Sequence, residues 1–137
     1  MKRDQRTSEL AELPLFSECS PRELEHIARL TDLVTFKPGE VLMAEGKIGH
    51  ECFVLKEGEA VVSMNRHRLA KLGPGEIVGE MAVALNEPRV ATVTARTKVR
   101  AFVMTAPAFA SILDHCPTVA RNVLASVAHR LREYQAA

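Results

Sequence analysis

Between Gly75 and Val93 the sequence holds a segment whose residue types suit the binding of an anion. Met81 to Leu85 is a short run of good helix formers that ends at Asn86, a residue common at helix C-caps. The start of a helix presents backbone N–H groups without partners, and the helix dipole adds partial positive charge there. The segment therefore predicts an anion site beside the start of a short helix.

Two charged residues, Arg89 and Glu80, flank the predicted helix. Arg89 follows Pro88 and precedes a run from Val90 to Thr94, which predicts that it lies at the start of a strand after a stiff turn. A guanidinium in that place can clamp a phosphate with paired N–H donors. Glu80 would repel a phosphate, but it can accept a hydrogen bond from a hydroxyl such as a ribose 2′-OH. Together these features indicate a ribose-phosphate site.

The elements that must hold this segment are predicted to be short strands. All seven glycines of the chain lie between Gly39 and Gly79, and turn signals such as Gly73-Pro74-Gly75 separate short apolar runs. Many short strands at close spacing are typical of a sandwich or a jelly-roll barrel. We expect residues 34–104 to form this β-roll, with the ribose-phosphate segment, residues 75–93, inside it.

Both ends of the chain are predicted to be helical. In residues 1–33, Ser20 and Glu23 form a capping box around a first-turn proline. In residues 105–137 a short helix is followed by a longer one that begins at Pro117. The apolar residues of the longer helix are expected to form a single stripe: Ala120, Val123, Leu124, Val127, Leu131 and Tyr134. The chain is thus predicted to be one mainly β domain with flanking helices.

Nearly the whole chain resembles the cyclic-nucleotide-binding domain family, which includes the catabolite activator, the regulatory subunits of protein kinase A and cyclic-nucleotide-gated channels. The most specific match is to the family's phosphate-binding cassette, here Gly79-Glu80-Met81-Ala82 followed by Pro88-Arg89-Val90-Ala91-Thr92. The resemblance implies a jelly-roll β-barrel with a C-terminal lid helix that closes over the base. It also implies a non-catalytic regulatory domain that senses a cyclic nucleotide.

The resemblance gives a role to each matching residue. Glu80 would accept from the ribose 2′-OH, Arg89 would clamp the cyclic phosphate, and backbone N–H groups would complete the anion site. The implied ligand-binding residues are Gly79, Glu80, Met81, Ala82, Arg89, Val90, Ala91 and Arg130. Met81 and Val90 would also border an apolar base pocket. The further residues implied for that pocket are Val62, Leu72 and Tyr134.

Two parts of the chain bear on the identity and capping of the base. Many cGMP-selective members carry a threonine or serine after the arginine, and Val90 lacks that hydroxyl, so the resemblance favours cAMP over cGMP. Arg130 lies about where related bacterial channel domains carry a base-stacking arginine, and Tyr134 lies one turn further along the helix. Guanidinium and phenol faces can both stack on a purine. We expect Arg130, rather than Tyr134, to stack on the base.

Composition argues against several other classes of protein. Lys plus Arg is 18 and Asp plus Glu is 17, so the basic excess typical of nucleic-acid-binding modules is missing. The five histidines lack the spacing of a metal cluster, which argues against a cupin-type metalloenzyme, and no nucleophile motif supports a hydrolase. We therefore expect no enzyme activity, no metal and no cofactor apart from the nucleotide ligand.

Cysteine usage and hydropathy predict a soluble, cytoplasmic protein. Three scattered cysteines are too few for a disulfide framework and are expected to be small buried thiols. No apolar run reaches membrane-spanning length, and no charged-then-apolar leader opens the chain.

One alternative stays open, a ligand-independent interaction or dimerisation module on the same fold. For Glu80 and Arg89 themselves, the structural alternative to a binding site is an ion pair across a turn. The apolar stripe of the last helix could also be the seam of a homodimer. The sequence does not identify the effector protein or domain that would read the signal.

Overall fold

The computed structural model describes the backbone of residues 3–136 and the side chains of residues 5–132. Within that part, eight strands form two four-stranded sheets in which all neighbouring strands pair antiparallel. The strands are β1 (Asp32–Phe36), β2 (Val41–Met43), β3 (Glu51–Glu57), β4 (Ala60–Met64), β5 (His67–Leu72), β6 (Ile77–Val78), β7 (Thr92–Ala95) and β8 (Val99–Thr105). The helices are α1 (Arg3–Ala11), α2 (Pro21–Leu30), α3 (Glu80–Leu85), α4 (Ala106–His115) and α5 (Pro117–Ala136).

The two sheets face each other and enclose an apolar core. The first sheet has the strand order β1-β8-β3-β6, and the second has the order β2-β7-β4-β5. Leu55, Val93 and Val99, which come from both sheets, are completely buried between them. Strands that are consecutive in the chain are mostly not neighbours in a sheet, as in a jelly roll. The predicted jelly-roll fold with flanking helices is confirmed.

The helices cover the outer face of the first sheet and form a second core with it. Phe16, Ile27 and Phe102 are completely buried there. Helix α2 begins at the predicted capping box, because Ser20 Oγ accepts from the Glu23 N–H at 3.1 Å and the Ser20 N–H donates to Glu23 Oε1 at 2.8 Å. No helix in the described part of the chain combines the length and apolar character needed to cross a membrane.

The connection into β7 differs from the prediction, since Arg89 does not lie at the start of a strand. The Arg89 N–H donates to the Lys47 carbonyl at 2.7 Å, and its carbonyl accepts from the Gly46 N–H at 2.8 Å. Pro88 forms an isolated β-bridge with Ile48. The segment is thus paired with the loop at residues 46–48, and β7 begins only afterwards, at Thr92 rather than at position 90.

The first strand also begins earlier than the sequence indicated. Asp32 and Leu33 pair with Val103 and Phe102 of β8, so β1 starts at position 32 rather than 34. Leu33 packs against the helical core from this strand. The helical segment predicted for residues 1–33 therefore ends at Leu30.

The apolar residues of α5 do not form the single stripe that was predicted. Val123 is 8% exposed and packs on the helical core, whereas Leu124 and Leu131 are 68% and 56% exposed. Successive residues of a helix point about 100° apart, so neighbours such as 123 and 124 cannot share one narrow face. Helix α5 has one apolar face on the domain and a second apolar edge that is exposed. The side chain of Tyr134 lies outside the described residues.

Candidate functional site

Helix α3 lies between β6 and β7, and left-handed residues set both of its ends. Gly79 at the N-cap has a φ of 87°, a conformation that favours glycine. Asn86 at the C-cap has a φ of 54°, and the cap N–H donates to the Ala82 carbonyl. These ends confine the helix to six residues, with Glu80 as the first. The short helix and its Asn86 cap were predicted from the sequence.

Arg89 is a buried cation with 7% of its surface exposed. Its Nη1 donates to the Gly79 carbonyl at 3.1 Å, and its Nη2 donates to the Glu51 carbonyl of β3 at 2.5 Å. Burial lowers the pKa of the guanidinium, because desolvation disfavours the charged form. Within the described residues Arg89 forms no ion pair, so the predicted alternative of a Glu80–Arg89 pair is not formed.

Two glycines leave the space that the Arg89 side chain occupies. A Cβ on Gly79 would lie 2.7 Å from Arg89 Nη1. A Cβ on Gly49 would lie 3.0 Å from the same atom and 2.7 Å from Ala82 Cβ. Any side chain at these positions would displace the guanidinium or α3. Gly49 is absent from the predicted site residues, although it is one of the glycines on which the family resemblance rests.

Glu80 is a buried carboxylate that is 3% exposed. Its Oε1 accepts from Arg130 Nη1 of α5 at 2.8 Å, which makes an ion pair between α3 and the last helix. Its Oε2 is buried and has no hydrogen-bond partner in the described structure. Buried polar atoms are normally hydrogen-bonded, so Oε2 is an acceptor suited to a ligand hydroxyl.

A cavity of about 350 Å³ brings these groups together between α3, the second sheet and α5. The predicted site residues that line it are Val62, Leu72, Gly79, Glu80, Met81, Ala82, Arg89, Val90, Ala91 and Arg130. Ligand pockets commonly measure about 300–1,000 Å³, so the cavity has the size of a small-molecule site. Of the predicted residues, only Tyr134 has a side chain outside the described part of the chain.

The apolar lining differs between the interior and the rim of the cavity. Val62 and Leu72 are buried, whereas Met81 and Val90 are 47% and 59% exposed. The two barrel residues therefore form the inner wall, and the two cassette residues lie at the rim.

Several lining residues were not predicted, among them Ser126 and His129 of α5. Ser126 precedes Arg130 by one helical turn and so lies on the same face, which means that helical spacing from Arg130 could have identified it. Met43 and Lys71 also line the cavity. They come from β2 and β5, and only the pairing of strands brings them there, so no local sequence signal marks them.

The cysteines contribute no metal site. Cys52 and Cys116 are buried, Cys19 is half-buried, and all three are free thiols. Burial raises the pKa of the Cys52 thiol to about 12, so this group is protonated at neutral pH. Among the described residues, no group of three or more His, Cys, Asp or Glu side chains could hold a metal ion.

Comparison with known proteins identifies the family. The sequence profile described as the cyclic nucleotide-binding domain matches residues 33–116, which include α3 and Arg89. The chain belongs to the cyclic nucleotide-binding domain family. The resemblance noted from the cassette motif is thereby confirmed.

Two relatives of this cyclic nucleotide-binding domain are regulators of a protein kinase. The cAMP-dependent protein kinase regulatory subunit of Hypocrea atroviridis is 31% identical over 104 residues, 76% of this chain. The corresponding protein of Blastocladiella emersonii is 30% identical over 109 residues, also 76% of this chain. The chain spans only 22% and 27% of the length of these relatives.

Solved structures show the same fold. The regulatory subunit of a cAMP-independent protein kinase A from Trypanosoma brucei matches with a TM-score of 0.83 at 24% identity, over 98% of this chain and 49% of that one. A cAMP-binding acyltransferase from Mycobacterium smegmatis matches with a TM-score of 0.73 at 29% identity, over 84% of this chain and 37% of that one. The same fold thus occurs as part of two longer chains.

Proposed function

We propose that the cavity beside α3 binds cAMP and that the domain is a regulatory sensor. One observation carries the proposal: Arg89 and Glu80, both buried, line the same cavity. In the described structure the Arg89 cation has no anionic partner, and Glu80 Oε2 accepts no hydrogen bond. A cyclic nucleotide supplies both complements, since its phosphate is an anion and its ribose 2′-hydroxyl is a hydrogen-bond donor.

Arg89 is the proposed phosphate clamp. Its guanidinium has five N–H donors, and bonds to the Gly79 and Glu51 carbonyls already fix its position. A side chain that is ordered before the ligand arrives loses little conformational entropy on binding. Backbone N–H groups near Ala82 and Val90 would complete the phosphate site.

The base would lie against Val62 and Leu72, the inner apolar wall of the cavity. Val90 offers no hydroxyl to guanine, so we propose cAMP rather than cGMP as the natural ligand. Helix α5 contributes Ser126 and Arg130 to the cavity and is the proposed lid. A ligand can shift the position of this helix only as far as it prefers one arrangement over the other.

The proposed role is regulatory rather than catalytic. The two kinase relatives are named as regulatory subunits. In the acyltransferase this chain corresponds to 37% of the length, which leaves most of that enzyme outside the region of similarity. The output would be a movement of α5 that a neighbouring domain or protein reads.

Self-association is a second candidate role, and the exposed edge of α5 favours it. The fold alone does not establish cAMP binding, since the Trypanosoma brucei protein with this fold is described as part of a cAMP-independent kinase. The exposed residues Leu124 and Leu131 are seven residues apart. With the half-buried Ala120 and Val127, of which Val127 also packs against the helical core, they follow at intervals of four, three and four residues, the spacing of a coiled-coil seam. We propose that this edge pairs with α5 of a second copy in a homodimer.

Thermal unfolding with added nucleotides tests the cAMP proposal. A ligand at about 100 times its Kd adds about 2.7 kcal/mol to the free energy of unfolding, which raises the Tm of a domain of this size by roughly 10 °C. We expect this shift with cAMP, a smaller one with cGMP at the same concentration, and none with 5′-AMP.

A pair of arginine variants provides the matched control for this experiment. Arg89→Ala should reduce the shift to about a third or less of the parent's, because losing a charged partner of the phosphate lowers affinity by about 30-fold or more. Arg96→Ala removes an exposed arginine that pairs with Glu59 and should keep the full shift. If no cyclic nucleotide stabilises the parent protein, the ligand-independent role replaces the sensor.

A further inference from the structure

Helix α5 contacts the α3 end of the cavity through the side chain of Arg130. Its Nη1 donates to Glu80 Oε1 at 2.8 Å, and its Nη2 donates to the Ile77 carbonyl of β6 at 2.5 Å. Both terminal nitrogens of the guanidinium are therefore engaged by the segment that leads into α3. The contact joins residues that are 50 and 53 positions apart in the chain.

The two oxygens of the Glu80 carboxylate have different environments. Arg130 engages Oε1, while Oε2 is buried without a partner in the described part of the chain. A bond to one oxygen fixes the orientation of the whole planar group, so Arg130 also determines where Oε2 points. The Glu80 and Arg130 side chains are 3% and 23% exposed, so solvent screens this pair much less than a pair on the surface.

We propose that Arg130 is a positioning residue that acts through Glu80, so that helix α5 responds to the ribose 2′-hydroxyl of the ligand rather than to the face of its base. This inference rests on the proposed binding of a cyclic nucleotide to the cavity. The hydroxyl donates to Oε2 while Arg130 donates to Oε1. Binding of the sugar and the contact of α5 with α3 are therefore energetically coupled through one carboxylate.

Stacking of Arg130 on the base is the competing role for this side chain. To stack, the guanidinium would have to leave both Glu80 and the Ile77 carbonyl. That movement would leave a nearly buried carboxylate without its cation, which is strongly unfavourable. The observed contacts therefore favour the positioning role.

A thermodynamic cycle between the protein and the sugar tests the inference. Isothermal titration calorimetry gives the Kd of cAMP and of 2′-deoxy-cAMP for the parent and for Arg130→Ala. The parent should bind the deoxy compound about tenfold or more weakly, since it loses a hydrogen bond to a charged acceptor. In Arg130→Ala this deoxy penalty should shrink by at least about threefold, because the two groups are coupled.

Two further variants and one further ligand separate positioning from other effects. Arg132→Ala removes an exposed arginine of the same helix and should keep the deoxy penalty of the parent. Arg130→Lys retains the charge and should restore part of the penalty. The ratio of cAMP to cGMP affinity should be the same, within about twofold, in the parent and in Arg130→Ala, since the base is not the contact.

Four other results would contradict either the positioning role of Arg130 or the proposed binding of cAMP. A full deoxy penalty in Arg130→Ala together with an altered cAMP-to-cGMP ratio would assign Arg130 to the base and overturn the inference. An equal loss of affinity for cAMP and 2′-deoxy-cAMP would also overturn it, because the role would then be structural. Equal affinity of the parent for both compounds removes the inference but leaves cAMP binding intact, whereas no binding of either compound removes the proposed function itself.

Discussion

Arg89 is held in place by two backbone carbonyls that come from separate elements, Gly79 before α3 and Glu51 in β3. Carbonyl dipoles orient a guanidinium without cancelling its charge, unlike a carboxylate. The cation therefore remains available to an anion, although burial already disfavours its charged form and lowers its pKa. The proposed phosphate clamp requires this combination of fixed geometry and uncompensated charge.

Gly49 provides a test of how closely Arg89 is positioned. In Gly49→Ala the new Cβ would lie 2.7 Å from Ala82 Cβ and 3.0 Å from Arg89 Nη1, so α3 or the guanidinium must move. We expect the free energy of unfolding to fall by about 1–3 kcal/mol and cAMP affinity to fall by about tenfold. Urea unfolding and calorimetry measure the two effects.

A glycine without close neighbours provides the control for this substitution. A Cβ on Gly73 would meet nothing within 4 Å, so Gly73→Ala should leave cAMP affinity within about twofold of the parent. If Gly49→Ala also binds cAMP as the parent does, the backbone at position 49 does not restrict Arg89.

At the scale of elements, local patterns were predictable and long-range pairings were not. The Ser20–Glu23 capping box and the Asn86 cap involve residues within one turn of each other, so the sequence alone identifies them. The placement of Arg89 depends on the loop at residues 46–48, about forty positions earlier in the chain. No periodicity in the sequence reports such a contact, and the start of β7 was misplaced for that reason.

The exposed edge of α5 leads to a prediction about oligomeric state. The double variant Leu124→Glu with Leu131→Glu would place charges in the proposed coiled-coil seam. Because neither leucine is part of the domain core, the fold and cAMP affinity should be retained while the dimer dissociates. Analytical ultracentrifugation of the parent and the variant measures the change.

Another position on the same helix supplies the control for charge. Ala125 is exposed and lies outside the proposed seam, so Ala125→Glu should leave the dimer intact. A parent protein that sediments as a monomer at all concentrations tested would refute the homodimer and leave the cAMP proposal untouched.

At the scale of the whole molecule, the candidate site joins parts of the chain that are distant in sequence. Glu51, Glu80, Arg89 and Arg130 converge only because the two sheets and α5 surround α3. The cassette motif was sufficient to predict that Glu80 and Arg89 lie at one site, because they are close together in the chain, and both line the same cavity. The Glu80–Arg130 pair and the lining by Ser126 depend on how α5 packs, which the apolar pattern of that helix did not determine.

The docking of α1 supplies a last prediction, about stability apart from binding. Glu9 of α1 lies 3.4 Å from Lys56 of β3 and 3.7 Å from Arg100 of β8, and its side chain is 15% exposed. Glu12 lies 3.9 Å from Lys56 but is 70% exposed. Partly buried networks contribute more than exposed pairs, so Glu9→Gln should lower the free energy of unfolding by about 1 kcal/mol and Glu12→Gln by less than about 0.5 kcal/mol.

Urea unfolding at low and high salt measures this difference. The loss in free energy of unfolding caused by Glu9→Gln should be less sensitive to salt than the loss caused by Glu12→Gln. Equal losses in Glu9→Gln and Glu12→Gln would indicate an effect of net charge rather than of the network. None of the described α1 side chains, at residues 5–11, lines the cavity, so cAMP affinity should remain within about twofold of the parent in both variants. A change in affinity on removing Glu9 would instead show that the docking of α1 is energetically coupled to the nucleotide site, through the strands β3 and β8 that Lys56 and Arg100 occupy.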